Sequence, residues 1–175
     1  GTLIHRIAVH PDHVRQGHGR HMLTSLGSKL AILGPPRLYS EVPEGCAAAK
    51  ALFSATGYDE QSVLTDYVSD AAHSPPAGTG ADLVIPVTVD DLIANDLLGE
   101  GNPPACWERS VETLTARKEE IYGLAVASDE RLDAYILYVK DGGEVLALRS
   151  LAEDGEARLA LLLSHVRARG GEALR

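Results

Sequence analysis

The sequence predicts a mixed α/β protein in which strands and helices alternate and antiparallel pairs gather in the second half. Three observations predict it. Short runs that read as strands recur at residues 3–9, 37–42, 58–68, 82–87, 121–127, 132–140 and 144–151, the first of them rich in β-branched residues. Helical apolar spacing separates several of them, most clearly at Met22, Leu23, Leu26, Leu30 and Leu33. The tripeptide Asp141-Gly142-Gly143 is a turn signal for an antiparallel hairpin between the last two strands.

In chain order, residues 3–9 (LIHRIAV) form the first strand, and the polar, glycine-bearing residues 10–19 form a loop. A helix over 20–33 stops at Gly34-Pro35-Pro36. A strand over 37–42 precedes a second helix marked by Cys46, Ala49, Leu52, Phe53 and Thr56, with Gly57 as its C-terminal cap. After a strand over 58–68, residues 69–80 (SDAAHSPPAGTG) read as a linker or exposed loop. Beyond the strand at 82–87, Thr88 and Asp91 have the spacing of a capping box ahead of a helix through Leu98. Residues 99–104 form a break and 107–117 a further helix, and the three strands at 121–151 lead to a last helix over 156–169. Trp107, Tyr135 and Tyr58 are expected in the core.

Composition narrows the function. Apolar residues are 45% of 175 and charged residues 23%, the balance of a globular domain, while aromatics at 5% leave the core to Leu, Val, Ile and Ala. The formal net charge of -9 argues against nucleic-acid and anionic-membrane partners, which call for a basic face. A polyanionic ligand therefore needs a local site. Cys46 and Cys106 show neither a metal-type spacing nor a disulfide framework, which points to a reducing, cytoplasmic setting. No apolar run is long enough to span a bilayer.

Chemistry concentrates in residues 7–23, IAVHPDHVRQGHGRHML. A strand enters a loop containing Gly17 and Gly19, and a helix follows at once. Loop amides and the unpaired first amides of a helix can make a concave donor cradle, to which the helix dipole adds partial positive charge. Such a cradle suits a diphosphate. The same pattern also describes a plain tight turn. His10, His13, His18 and His21 lack a metal-ligand spacing and read as loop residues, so no metal is expected.

The segment Val14-Arg15-Gln16-Gly17-His18-Gly19 resembles the Q/R-x-x-G-x-G/A signature of the GNAT N-acetyltransferase superfamily, with Val14 where that family has Gln or Arg. Further on, Ala49, Leu52, Phe53, Gly57 and Tyr58 match a later helix of the same family, A-x-x-L-Y-x-x-x-G-F. The resemblance covers residues 3–87. It implies a partial GNAT domain at 1–87, the family's fourth strand onward. A second, degenerate GNAT-like unit at 88–175 is expected, as in tandem members such as mycothiol-synthase-like enzymes. It also implies that both ends of the family domains lie beyond this chain.

The resemblance further implies acetyl transfer from acetyl-coenzyme A to an amine of a small molecule or peptide. It places the cofactor on Ile7, Val9, Val14, Arg15, Gln16, Gly17, His18, Gly19 and Arg20, with pantetheine between strands 3–9 and 37–42. A backbone N–H near Ile7 or Val9 polarises the thioester carbonyl. His5 is either the general base or a structural strand histidine. The family's acid, a tyrosine, is replaced by Phe53, and Cys46 reads as a core residue near the position of the family's helix-start Asn. In the second unit, Glu153, Asp154 and Glu156 crowd the equivalent loop and repel a diphosphate. A homodimer is compatible with this reading. Two alternatives remain: a non-catalytic acyl-coenzyme A-binding or regulatory module, and a nucleotide-binding protein, the latter lacking G-K-[ST] and a full G-x-G-x-x-G.

Overall fold

The structure is a computed structural model that describes residues 1–35, 37–68, 83–98, 106–128, 131–140, 144–153 and 155–169. The expected linker at 69–80, the break at 99–104, the turn at 141–143, Asp154 and the last six residues lie outside the described residues. The chain forms two compact units, Gly1–Ser62 and Val63–Arg175. The expected boundary between residues 87 and 88 falls inside the second unit. The strand before it is hydrogen-bonded into that unit's sheet.

The first unit runs β1 (Thr2–Leu3), α1 (His18–Leu33), β2 (Leu38–Tyr39), α2 (Ala47–Ser54). β1 and β2 are parallel, with Thr2 opposite Leu38 and Leu3 opposite Tyr39. The Thr2 and Ile4 amides donate to the Arg37 and Tyr39 carbonyls at 2.9 and 2.8 Å, and the ladder ends there. This corrects the expected strands at 3–9 and 37–42. Ile7 and Val9 are β-branched, but beyond the Ile4–Tyr39 bond the pairing stops and no strand is formed over 5–9 or 40–42. The helix α1 begins two residues earlier than expected and buries Leu23, whereas Met22 and Leu33 of the apolar stripe are exposed. Gly57, at φ +87°, closes α2: Tyr58 N reaches Phe53 O and Gly57 N reaches Ser54 O, the paired bonds of a Schellman cap. The expected strand at 58–68 is not formed. Val63, Tyr67 and Val68 are exposed, and a strand without a neighbour leaves its backbone groups to water.

The second unit runs β3 (Leu83–Val87), α3 (Val89–Ala94), α4 (Val111–Ala116), β4 (Ile121–Ala127), β5 (Leu132–Val139), β6 (Val145–Ser150) and α5 (Glu156–Ala168). Its sheet is antiparallel in the order β3-β4-β5-β6. β4 and β5 are buried along both faces. Ala125, Tyr135 and Leu137 pack with Leu92 of α3 and Leu114 of α4. Leu124, Val126, Ala134, Ile136 and Tyr138 pack with Leu162 and Val166 of α5. Alternate residues thus serve opposite helical layers, which explains the unbroken apolar runs of these strands. Tyr135 is buried as expected, its hydroxyl donating to Leu97 O at 3.0 Å, and Trp107 is half-buried.

Two helices are shorter than their apolar spacing suggests. α3 stops at Ala94 because Asp96 turns left-handed (φ 56°) and Leu97 N reaches back to Leu92 O, short of the expected end at Leu98. The helix expected over 107–117 is split by Ser110, whose extended backbone and side-chain oxygen cap Thr113 N, leaving a 3-10 turn at Trp107–Arg109. The expected capping box is formed: Asp91 N donates to Thr88 Oγ1 and Thr88 N to Asp91 Oδ2 at 2.8 Å. The Thr88 hydroxyl and then the Thr88 amide hold the Asp91 carboxyl below its ordinary pKa. A carboxyl whose folded pKa is depressed stabilises the fold above the unfolded carboxylate range. That contribution is lost as pH falls through the folded value. Thr88→Ala is therefore expected to lower the melting temperature at neutral pH and to flatten its decline in acid. A melting curve series that keeps the wild-type slope in the variant would contradict this.

Candidate cofactor-binding site

The loop leading from β1 into α1 is shaped by its own backbone. A 3-10 turn at Pro11–His13 is followed by Arg15 at φ 64° and Gly17 at φ 86°. Left-handed backbone is strained for Arg15 and unstrained for Gly17. Gly17 is the N-cap of α1 and offers no side-chain cap; the helix ladder opens with His21 N donating to Gly17 O at 2.9 Å. A left-handed residue followed by a helical one is a backbone pattern that can turn successive amides toward a common concavity, and Gly17 followed by His18 has that pattern. Nothing lies within 4 Å of where a Cβ on Gly17 would stand.

Gly19 has a different reason for being glycine. It is buried, and a Cβ there would lie 3.1 Å from Leu52 Cδ2 and 3.7 Å from Val9 Cγ2. Gly19 lets α1 lie close to α2 and to the chain leaving β1, and its role as a phosphate approach point shrinks accordingly. Gln16 donates through Nε2 to Asp12 O at 3.1 Å and ties the loop to itself. The Arg20 guanidinium donates to Ala55 O at 3.0 Å, across to the end of α2. Val14, Arg15 and His18 are exposed along the loop, and Ile7 and Val9 are half-buried leading into it. His5 is exposed and is the first residue after the last β1–β2 hydrogen bond. Its face therefore follows from where the strands part, since no strand pleat continues to Ile7 and Val9.

Phe53 is buried and meets Tyr58 edge-on, ring centroids 5.1 Å apart. The Tyr58 hydroxyl is buried with no hydrogen-bond partner among the described residues, and burial pushes its pKa up. Tyr58 is thus half-buried packing, as the sequence suggests. Cys46 is exposed at the start of α2, which corrects the core reading; the small Ala-rich helix leaves that end open. Among the described residues no cluster of His, Cys, Asp or Glu could hold a metal.

The second unit repeats the order strand, loop, helix at β6 and α5, with a different loop. Its N-cap, Gly155, is right-handed (φ -77°), unlike the left-handed Gly17. The Ala152 amide donates to Ser150 Oγ at 3.3 Å and is spent internally. An open cleft of about 420 Å³ lies here, lined by Arg131, Leu151, Ala152, Glu153 and Arg158. Its two guanidinium groups are held by the buried Asp133, 3.2 Å from Arg131 Nε and 3.5 Å from Arg158 Nη2. Glu153 and Glu156 add negative charge at the same end. Titration with acetyl-coenzyme A is expected to saturate at one equivalent per chain. Two equivalents would sink the assignment of a single site.

No family model matches the chain. It is 41% identical over 61 residues to the ribosomal protein bS18-alanine N-acetyltransferase of Escherichia coli (strain K12). The same protein from Escherichia coli O157:H7 and from Shigella flexneri gives the same identity over the same length. The aligned stretch is 35% of this chain, and the chain spans about two fifths (41%) of the length of these curated relatives. The mixed α/β architecture is compatible with a GNAT-like fold. No helix among the described residues is long and apolar enough to cross a membrane. Over about a third of its length, the chain is similar to an N-acetyltransferase.

Proposed function

We propose that this chain is part of a GNAT-type N-acetyltransferase that moves an acetyl group from acetyl-coenzyme A to an amine in the cytoplasm. The observation that carries the reading is the left-handed Gly17 at the start of α1, with open space where its Cβ would stand. The likeness to an N-acetyltransferase over 61 residues supports it. In this reading residues 1–62 carry the cofactor half of the domain and residues 83–169 a GNAT-like unit without cofactor.

When bound, acetyl-coenzyme A supplies an activated thioester; the chain supplies position and proton handling. The loop amides hold the diphosphate through charge-assisted hydrogen bonds. The gap where β1 and β2 part receives the pantetheine arm, and a backbone N–H near Ile7 or Val9 polarises the carbonyl. His5, at the parting point, takes the proton from the attacking amine. Phe53 offers no proton to the departing thiolate, which leaves unassisted by that residue. The relatives' name suggests the first acceptor to try, the α-amine of a peptide beginning with alanine.

Incubating the chain with acetyl-coenzyme A and a panel of amines, headed by such a peptide, tests the reading. The expected result is thiol release matched by acetylated amine. A second reading, an acyl-coenzyme A-binding module without turnover, is favoured by Phe53 at the acid position. Cofactor binding with no product from any amine would select it.

A further inference from the structure

We draw no further inference here: the strongest candidate, the open cleft between the loop after β6 and the first turn of α5, where Arg131 and Arg158 pair with the buried Asp133, carries nothing, because that carboxylate already holds both guanidinium groups and no second feature among the described residues points to a ligand there.

Discussion

Gly17→Glu is expected to weaken coenzyme A binding by more than about 100-fold while the fold is kept. Two effects add. Any side chain at φ 86° is in the left-handed region, at a cost of about 1 kcal/mol for most residues. The larger effect is charge. The position is open, so the glutamate is accommodated sterically, and its carboxylate stands where the loop amides would face the diphosphate. At about 4 Å and a near-surface effective dielectric, that repulsion is on the order of 4 kcal/mol before salt screening. Gly17→Asn separates the two effects. Asparagine tolerates left-handed backbone better than most residues and carries no charge, so binding within a few-fold of wild type is expected. Calorimetry at fixed salt, with circular dichroism to confirm folding, reads both variants. Equal affinity in Gly17→Glu would remove the diphosphate from this loop.

Local chemistry accounts for the features legible in the sequence. The Thr88–Asp91 box, the Gly57 cap and the α1 stripe each depend on residues within one or two helical turns. The antiparallel β5–β6 pair agrees with the glycine turn between them, though the turn itself lies outside the described residues. Strand length was less legible, since whether residues 5–9 pair depends on where β2 runs, thirty-odd residues later. Apolar spacing also ran through Ser110 without a break, because a cap competes with periodicity and leaves no mark on it. In the site, the sequence pointed to Gly17 and Gly19 together. Only the contact of Gly19 with Leu52 separates their roles, one setting backbone hand and the other interhelical distance. The His13–His18 contact was hidden for the same reason: five residues apart, the rings meet because the chain turns left-handed between them.

His5→Ala is expected to lower kcat by about 100-fold, with KM for acetyl-coenzyme A little changed. The argument starts from the end of the β1–β2 ladder. Ile4 N makes its last bond, to Tyr39 O, and His5 follows immediately. In the proposed reading, the acceptor amine and thioester carbonyl meet where the strands separate, because the pantetheine arm enters from that gap. A base there is in reach of the amine, whereas one further along residues 6–9 would face the arm. His5 is exposed, so its removal creates no cavity and leaves the melting temperature unchanged, which sets a catalytic loss apart from a structural one. Added imidazole should restore part of the rate lost in His5→Ala. His5→Gln, which keeps a hydrogen-bond donor but no titrating group, should stay slow. A variant with the wild-type rate would return His5 to the surface and move the search for a base to the histidines of the neighbouring loop.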